Sequence, residues 1–482
     1  MLLSDLIEEN GKAQDLEITG LSSDSRAVHP GYLFAALAGT ATDGARFIAD
    51  AVNKGAVAVL ASPDVDMPGQ DVYRLTAVNP RRRFASIVAR FYGPQPGTIA
   101  AVTGTNGKTS VASFMRQIWQ QLGYPAASIG TLGVMADGYE IPGGLTTPDP
   151  VTLHKTLSDL KARGIEHVAC EASSHGLAQY RLDGLQIRAA AFTNLTRDHM
   201  DYHGTEEDYF FSKARLFGDL LRPGGTAVLN MDDPHAAELE SLCWARGHRI
   251  IRVGTHDGDL RLLSRVPEDG GQALTIGYEG TVYDIQLPLA GGFQAQNALV
   301  AAALAMACGA EPQAAIRALQ HLTSVPGRLE LAARHPSGAS IYVDYAHTPD
   351  ALSTVLTALR PHVRGKLALV FGCGGDRDRG KRPLMGDIAA ALADRVYVTD
   401  DNPRSEDPDS IRAAILAAVP TARDIADRRA AIQAAVSDLE AGDILVVAGK
   451  GHEQGQIIGT EVRDFNDLIE VQTAVAGIGG RS

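Results

Sequence analysis

Residues 98–123 read TIAAVTGTNGKTSVASFMRQIWQQLG, in which a short apolar strand pattern passes through a glycine-rich turn into an amphipathic helix pattern. The turn, TGTNGKTS (Thr103–Ser110), is predicted to be a phosphate loop. Its glycines let backbone N–H groups face phosphates, and the helix N-terminus that follows favours negative charge. Lys108 would lie against the β- and γ-phosphates and Thr109 on Mg²⁺. A general phosphate loop has glycine at position 102, where this chain has Val102, so a shorter loop is expected.

Strand and helix patterns alternate on both sides of this loop. HVACEAS, AAAFTNL and TAVLNMDD are apolar strand patterns, and residues 206–221 form a helix pattern. A small β region is predicted at 258–290, before a helix from about Phe293. From about residue 330 the alternation resumes with SIYVDYAH, KLALVFGCGG, RVYVTDDNP and DILVVAGKG. Such alternation predicts an α/β fold with parallel sheets covered on both faces, the second of them Rossmann-like.

The length of 482 residues exceeds that of one ordinary core, and roughly 100–200 residues per domain suggests three domains. The Pro/Gly cluster YGPQPG marks the first boundary, and the return of alternation after VPGRLE marks the second. We therefore predict domains at 1–94, 95–325 and 326–482.

Composition excludes several classes of protein. The formal charge of −13 disfavours a general nucleic-acid binder, because neutralising phosphates needs a dense basic face. The acidic start MLLSDLIEEN and the short apolar run at 297–310 indicate neither an export signal nor a membrane anchor. The four cysteines are widely spaced and are expected to be buried, reduced thiols of a cytoplasmic protein.

Two polar clusters follow predicted strands: EASSH (Glu171–His175) and FTNLTRDHMDYHG (Phe192–Gly204). Because ligands bind at the carboxyl ends of strands in open α/β sheets, both clusters are expected to converge on the phosphate loop. Glu171 and His199 become candidate metal ligands. Lys213, in YFFSKARLF, has by itself the pattern of an amphipathic helix lysine with its charge in water.

Taken in order, TGTNGKTS, EASSH, NLTRDHMDYHG, YFFSKARLF, PGRLE, VDYAHTPDAL and GKGHE resemble the motifs of the Mur ligase family along nearly the whole chain. The resemblance implies an N-terminal UDP-binding α/β domain, a central P-loop ATPase with a parallel sheet, and a C-terminal Rossmann-like domain that brings the incoming amino acid. It also implies the reaction: ATP phosphorylates a carboxylate of a UDP-muramoyl peptide, and an amine attacks the acyl phosphate to form an amide, with ADP and phosphate released.

The resemblance also implies roles for individual residues, with ATP as co-substrate and Mg²⁺ as cofactor. Thr109 and Glu171 would serve one metal, and His199 with a carbamylated Lys213 would serve a second. Catalytic roles fall to Lys108, Glu171, His199 and Lys213. ATP would be bound by Gly104, Thr105, Asn106, Gly107, Lys108, Thr109, Ser110, Asn297, Arg328 and Asp344, with His347 a weaker candidate.

The nucleotide-linked substrate is assigned in the same way. SSDSRAVHPGYLF and GTATDGARF resemble the family's uridine-binding region, and LTTPD with SSHGLAQYR its muramoyl-peptide region; the family has asparagine where this chain has Leu145. The resulting residues are Ser23, Ser25, Thr40, Ala41, Thr42, Thr146, Thr147, Ser173, Gln179 and Arg181.

The incoming amino acid is indicated by DNPR, Asp401–Arg404, which resembles the family's meso-diaminopimelate recognition motif. The planar fork of Arg404 suits a bidentate grip on the second carboxylate that distinguishes diaminopimelate from lysine. By resemblance the amino-acid site comprises Arg377, Asp401, Asn402, Pro403, Arg404, Gly449 and Glu453, the last positioned for an ammonium group.

Three alternatives stay open at this point: a lysine-adding ligase of the same family, a folylpolyglutamate-type synthetase with a related ATPase core, and a P-loop ATPase or binding module that makes no amide. DNPR argues against the first and the SSDSR to DGARF region against the second. The expected partners are UDP-N-acetylmuramoyl-L-alanyl-D-glutamate, meso-diaminopimelate and ATP. A monomer that binds neither nucleic acid nor membrane is expected.

Overall fold

The computed structural model describes residues 1–7, 16–39, 42–67, 72–196 and 198–479. The chain divides into two compact units, each described by itself below. Unit 1 comprises Met1–Asp259 with Val300–Ala315, and unit 2 comprises Leu260–Leu299 with Ile316–Ser482. In the described ranges, no helix combines the length and apolar character that a membrane span requires.

The N-terminal part of unit 1 contains a four-stranded parallel sheet in the order β1-β2-β3-β4. Apolar side chains of one face of α3 fill the core against this sheet, and Asn79 caps the first turn of that helix by accepting from Arg82 N. The strands are β1 (Gly20–Ser22), β2 (Tyr32–Ala35), β3 (Ala58–Ala61) and β4 (Tyr73–Thr76), and the helices are α1 (Leu3–Ile7), α2 (Ile48–Asn53) and α3 (Pro80–Tyr92).

The rest of unit 1 is built on a larger sheet. Its strands are β5 (Thr98–Thr103), β6 (Ala126–Gly130), β7 (Gly133–Ala136), β8 (Tyr139–Pro142), β9 (His167–Glu171), β10 (Ile187–Phe192), β11 (Leu221–Asn230) and β12 (Arg249–Gly254). Its helices are α4 (Lys108–Gln121), α5 (Pro150–Ala162), α6 (Ser174–Ala178), α7 (Met200–His203), α8 (Glu206–Arg215) and α9 (Ala236–Ala245).

These strands lie in the order β12-β11-β10-β5-β9-β6-β7-β8, parallel from β12 to β6 and antiparallel at β7 and β8. Every residue of β5 is buried, as expected for a strand covered on both faces. The predicted helix at 206–221 is present, but it ends in a π-helical turn at Leu216–Leu220, and Leu221 already belongs to β11.

Unit 2 begins with the predicted β region, an antiparallel sheet of β13 (Leu260–Glu268), β14 (Gly271–Tyr278) and β15 (Thr281–Leu287). Along the chain there follow α10 (Gly292–Ala307) and α11 (Pro312–Ala318). The predicted helix start near Phe293 is therefore confirmed.

The second sheet of unit 2 has the order β16-β17-β21-β18-β19-β20, parallel except for β16. The βα alternation predicted from residue 330 is thus confirmed. The strands are β16 (Glu330–Arg334), β17 (Ser340–Asp344), β18 (Leu367–Phe371), β19 (Arg395–Val398), β20 (Arg423–Asp424) and β21 (Ile444–Ala448), with a hairpin of β22 (Gly455–Ile458) and β23 (Glu461–Asp464). The helices are α12 (Pro349–Leu359), α13 (Lys381–Leu392), α14 (Pro408–Leu416), α15 (Arg428–Ser437) and α16 (Asp467–Gly479).

All four cysteines are buried and carry free thiols, as the sequence predicts: Cys170, Cys243, Cys308 and Cys373. Burial raises the pKa of the Cys170 and Cys308 thiols to about 12, so these groups stay protonated and unreactive at neutral pH.

Candidate functional site

The three central strands of unit 1 bring the predicted motifs together. In the sheet β5 lies between β9 and β10, and the three strands are parallel. The phosphate loop, EASSH and the NLTRDHMDYHG segment therefore all follow the same edge of the sheet. The convergence predicted from the sequence is confirmed.

The phosphate loop passes directly from β5 into α4. Gly104 has φ 150°, and a Cβ there would collide with the hydroxyl of Thr193. Gly107 has φ 89° and stands at the N-cap of α4. Both conformations favour glycine, so the two glycines allow the loop to turn from β5 into the N-terminus of α4. Lys108 Nζ donates to the carbonyl oxygens of Gly104 and Thr105 at 2.8 Å, so it lies over the loop itself.

The segment after β10 holds the loop in place. Asn194 Oδ1 accepts from Asn106 N at 2.9 Å, and the Asn194 carbonyl accepts from Thr105 N at 2.8 Å. Thr193 Oγ1 donates to the Asn106 carbonyl at 2.6 Å. Thr193 and Asn194 thus hold the phosphate loop, a role that was not predicted because contacts between side chains and backbone carry no residue-spacing signal.

Glu171 and Thr109 are in direct contact. Thr109 Oγ1 donates to Glu171 Oε2 at 3.0 Å, and Thr131 N donates to Glu171 Oε1 at 2.8 Å. Glu171 is 3% exposed, and a Cβ at Gly130 would collide with its carboxylate. The carboxylate is therefore fixed beside the first turn of α4. The structure brings together the two residues predicted for one metal.

Lys213 lies inside unit 1 with 1% of its surface exposed. Its Nζ donates to the Gly104 carbonyl at 2.9 Å, the same oxygen that Lys108 contacts, and it lies 4.2 Å from the ring centre of Tyr209. Burial, reinforced by the Lys108 charge, lowers the pKa of Lys213 well below its usual range. The interpretation of Lys213 as a surface helix lysine, which its own segment supports, is therefore wrong.

His199 stands immediately before α7 in the left-handed conformation, with φ 55°. Its ring packs edge-on to His175, with centroids 4.8 Å apart, and 6.3 Å from the ring of Tyr209. The side chain is 47% exposed, and its Nε2 lies 3.5 Å from Asp198 Oδ2. A group of three or more His, Cys, Asp or Glu side chains able to hold a metal is not found in the described ranges.

The muramoyl-peptide candidates form one hydrogen-bonded group. Thr147 Oγ1 donates to the Glu171 carbonyl at 2.8 Å and accepts from Ser173 N at 3.0 Å. Arg181 donates to the Thr147 carbonyl at 2.7 Å and to Gln179 Oε1 at 2.7 Å. Thr146 joins them through Thr131, with the two hydroxyls 3.1 Å apart. Leu145, which departs from the family pattern, is 56% exposed.

The N-terminal candidates are only partly described. Ser25 is buried at the start of a short 3₁₀ turn, and its carbonyl accepts from Lys54 Nζ at 3.1 Å. Ser23 and Thr42 are exposed. Thr40 and Ala41 lie outside the described residues.

The remaining ATP candidates, Asn297, Arg328 and Asp344, belong to unit 2. Gln294 accepts from Asn297 Nδ2 at 3.2 Å and donates to the Arg328 carbonyl at 2.9 Å. Asp344 ends β17 and accepts from Leu329 N at 2.6 Å. Burial raises the pKa of Asp344 to about 6, although the Arg328 charge opposes this shift. His347, the weaker candidate, donates from Nδ1 to the Tyr345 carbonyl at 2.8 Å.

The DNPR turn follows β19 and lies against the loops after β18 and β21. Arg404 has φ 52°, and its guanidinium donates to the Gly375 carbonyl at 2.8 Å. Asn402 Nδ2 donates to Glu453 Oε2 at 2.9 Å, which joins DNPR to GKGHE. A Cβ at Gly449 would lie 2.7 Å from Asp401 Oδ2, so glycine is required there. Pro403 is buried, whereas Arg377 is exposed.

Two buried residues of these sites were not predicted from the sequence. Tyr209 contacts both Thr105, with the hydroxyls 3.1 Å apart, and Lys213. Lys450 is fully buried and donates to both Asn402 and Glu453. Lys450 lies within the motif GKGHE, but nothing in the sequence shows that its ammonium points inward.

Three family descriptions match the chain: the catalytic domain of the Mur ligase family at residues 17–92, the Mur ligase middle domain at 102–305, and the Mur ligase glutamate ligase domain at 327–451. Among curated relatives, the UDP-N-acetylmuramoyl-L-alanyl-D-glutamate–2,6-diaminopimelate ligase of Mesorhizobium japonicum is 55% identical over 97% of this chain and 96% of its own length. The enzyme of the same name from Caulobacter vibrioides is 52% identical over 97% of each chain.

Solved structures agree with these relatives. A structure of a UDP-N-acetylmuramoyl-L-alanyl-D-glutamate–2,6-diaminopimelate ligase is 34% identical, with a TM-score of 0.76 and 99% coverage of both chains. MurF of Thermotoga maritima in complex with ADP is 18% identical, with a TM-score of 0.63 over 97% of this chain and 100% of its own. At that identity the second likeness shows a shared fold alone.

Proposed function

The chain belongs to the Mur ligase family and has its three-domain architecture, and on that premise we propose that it joins meso-diaminopimelate to UDP-N-acetylmuramoyl-L-alanyl-D-glutamate at the expense of ATP, in peptidoglycan precursor synthesis. The observation that carries this function is the 55% identity to a named diaminopimelate-adding ligase over 97% of the chain. The domain limits at 94 and 325 remain predictions.

In the proposed reaction the γ-phosphoryl group of ATP moves to the D-glutamyl carboxylate. The amine of diaminopimelate then attacks the acyl phosphate, and phosphate leaves as the amide forms. A carboxylate is a poor electrophile, and its phosphorylation supplies the leaving group that the attack of the amine requires. Negative charge gathers on the phosphoryl oxygens during transfer, and Lys108 with the backbone N–H groups of the loop would stabilise it.

The donors around Thr109 fit Mg²⁺. A hydroxyl and one carboxylate, that of Glu171, are hard oxygen ligands, and Mg²⁺ commonly takes only one or two protein ligands while phosphates and water complete its shell. When bound, Mg²⁺ would polarise the phosphoryl oxygens as a Lewis acid. Glu171 and Thr109 are then the residues of this chain that hold it.

A second metal at His199 and Lys213 fits only if Lys213 is modified, because an ammonium cannot ligate a cation. We propose that Lys213 is carbamylated: its neutral amine adds CO₂, forming an N–C bond and releasing one proton, so a cation becomes an anion. The lowered pKa of Lys213, caused by burial and by Lys108, supports this proposal, since only the neutral amine is nucleophilic.

The remaining assignments follow the same premise. Gly104–Ser110, Asn297, Arg328 and Asp344 would bind ATP. The group around Thr147 and Arg181 would bind the muramoyl peptide, and Ser23, Ser25 and Thr40–Thr42 the uridine end. Arg404, with Arg377, Asp401–Pro403, Gly449 and Glu453, would bind diaminopimelate. We further propose a cytoplasmic monomer, since the substrates named here are the only partners that the family premise requires.

The test measures phosphate release with ATP, Mg²⁺ and UDP-N-acetylmuramoyl-L-alanyl-D-glutamate, offering meso-diaminopimelate or L-lysine in parallel. We expect release that depends on diaminopimelate and fails with lysine. Turnover that is equal or better with lysine would keep the ligase and overturn the role of Arg404. Release that needs neither amino acid would favour an ATPase without ligase activity.

A further inference from the structure

Lys450 stands two residues after the end of β21, and none of its surface is exposed. Its Nζ donates to Asn402 Oδ1 at 3.0 Å and to Glu453 Oε2 at 2.9 Å. Burying an ammonium is costly unless the charge is paired and hydrogen-bonded. These two acceptors are therefore what allow Lys450 to lie beneath the DNPR turn.

Lys450 determines the orientation of the Asn402 amide. Oδ1 of Asn402 accepts from both Lys450 Nζ and Ile457 N, the latter at 2.9 Å. With two donors on that oxygen, the Nδ2 group has to point the other way, where it donates to Glu453 Oε2 at 2.9 Å. Without the ammonium, the amide would keep only the bond from Ile457 N and the bond to Glu453, and Glu453 would itself have lost its contact with Lys450.

The same contacts leave one edge of Glu453 available. Both donors reach Oε2, so among the described residues Oε1 is left for another partner, and the side chain is one-third exposed, at 33%. The carboxylate of Asp401 is also buried, and its Oδ2 has no hydrogen-bond partner in the described structure. Glu453 Oε1 and Asp401 Oδ2 are therefore two carboxylate oxygens of this cluster without a recorded hydrogen-bond donor among the described residues, and both can accept from a ligand ammonium.

We propose that Lys450 is a positioning residue for the incoming diamino acid. It fixes the Asn402 amide and holds Glu453 so that Oε1 receives an ammonium group of the ligand. The inference rests on the proposed function, because the ligand is the amino-acid substrate of that reaction.

The electrostatics of Glu453 support this role. Burial favours the neutral acid, yet the charge and hydrogen bond of Lys450, with the bond from Asn402, hold the pKa of Glu453 below its usual value. The Arg428 charge also acts on Glu453, but Arg428 is paired with Asp467 at 2.6 Å in a fully buried ion pair. The charged or titratable groups that act on Glu453 are Lys450, His452, Arg428 and Tyr345.

The test is steady-state phosphate release by Lys450→Met in the full chain, with each substrate varied in turn. We expect the KM for meso-diaminopimelate to rise roughly 10- to 100-fold, the span of one hydrogen bond to a charged group. The KM values for ATP and for the nucleotide-linked peptide should stay within about twofold, because the contacts of Lys450 belong to the amino-acid end of the reaction. In addition, the ratio of kcat/KM for diaminopimelate in the variant to that in the wild type should fall as the pH is lowered, because the variant lacks the charge and hydrogen bond of Lys450 that hold the pKa of Glu453 down.

Two variants serve as controls. Lys450→Arg keeps the charge and should keep the wild-type pH profile, and Lys366→Met removes an exposed lysine of the same unit and should change nothing. If Lys450→Met does not fold, Lys450→Gln, which keeps a donor without the charge, gives the same pH readout. Equal losses for all three substrates, or an unchanged pH profile, would overturn the proposal. A wild type without diaminopimelate-dependent release would instead refute the proposed function.

Discussion

In the described part of the chain, each unit buries one lysine almost completely, and the two lysines have opposite surroundings. Lys213 in unit 1 is 1% exposed, donates to a neutral carbonyl, lies over the ring of Tyr209 and has the Lys108 charge near it. Lys450 in unit 2 is 0% exposed and donates to the carboxylate of Glu453 and to an amide oxygen. The two side chains are therefore buried to nearly the same extent, but only the Lys450 ammonium has a hydrogen-bonded carboxylate.

The difference shows that partners, more than depth, decide what a buried lysine can do. Without a hydrogen-bonded carboxylate, desolvation and like-charge repulsion favour the neutral amine, which is a nucleophile and can be modified. With a carboxylate at 2.9 Å, the ammonium is retained as a fixed charge that orients its neighbours. We accordingly expect chemistry at Lys213 and positioning at Lys450.

The largest effect should come from removing the amine of unit 1. Lys213→Met should lower kcat by roughly 10³-fold or more, because no carbamate can form and one ligand of the second metal site is lost. Phosphate release at saturating substrates measures this. Lys155→Met removes an exposed lysine of α5 and should leave kcat unchanged.

The response of activity to bicarbonate tests the carbamylation of Lys213 more directly. Wild-type protein freed of dissolved CO₂ should lose activity and regain it when bicarbonate is added, whereas Lys213→Met should not respond. Full activity of the variant, or indifference of the wild type to CO₂, would mean that Lys213 is only a buried structural lysine.

The next effect concerns Arg404 of the DNPR turn. Arg404→Lys keeps the charge but loses the planar fork, so the ratio of kcat/KM for diaminopimelate to that for lysine should fall by roughly 10²- to 10³-fold. Competition between the two amino acids in one assay measures the ratio directly. As a control, Arg364→Lys on the exposed loop after α12 should keep the ratio. An unchanged ratio in Arg404→Lys would remove Arg404 from specificity.

Most of the strands and helices that position these residues were predicted from the sequence. Alternating βα patterns and the βα position of TGTNGKTS predicted the parallel strands around the phosphate loop and those of the second sheet of unit 2, because local hydrophobic periodicity largely determines such elements. The convergence of EASSH on the phosphate loop also followed, since parallel strands end at one edge of a sheet, whereas the pairing of Thr109 with Glu171 came from the family resemblance.

Side-chain direction was not predictable in the same way. A helix period does not say whether a lysine head points to solvent or inward, so the segment YFFSKARLF alone favoured an exposed Lys213, and Lys450 was missed. Tertiary neighbours distant in sequence decide both cases: Lys213 meets Gly104, 109 positions away, and Lys450 meets Asn402, 48 positions away. Single-sequence patterns carry no record of such pairs.

Acid should change the stability of the two units in opposite senses, through one buried titratable group in each. Burial lowers the pKa of His154 in unit 1 to about 4, so the unfolded chain binds a proton below pH 6.5 that the folded chain refuses. Stability from unit 1 is therefore lost as pH falls from about 6.5 to about 4. Asp344 in unit 2, with its pKa raised to about 6, acts in the opposite sense, since its stability is lost as pH rises from about 4 through 6.

Urea unfolding at pH 7 and pH 5 tests this for His154. His154→Gln, which keeps a donor for the Asp183 carbonyl that lies 3.1 Å from the ring, should remove about 2 kcal/mol of the wild-type difference in unfolding free energy between the two pH values. His256→Gln replaces an imidazole at an exposed position of the same unit and should leave the difference as it is. A pH dependence that survives in His154→Gln would place its origin elsewhere.

The smallest expected effect separates the two contacts of Tyr209. Burial raises the pKa of its phenol to about 12, so the hydroxyl stays protonated and is shared with Thr105, while the ring faces the Lys213 amine at 4.2 Å. Tyr209→Phe removes only the hydroxyl, so unfolding free energy should fall by about 1 kcal/mol and kcat/KM for ATP only a few-fold. Tyr124→Phe, at a partly exposed position, is the matched control. A loss as large as that of Lys213→Met would mean that the hydroxyl, through Thr105, sets the geometry of the phosphate loop, and that the ring beneath Lys213 is secondary.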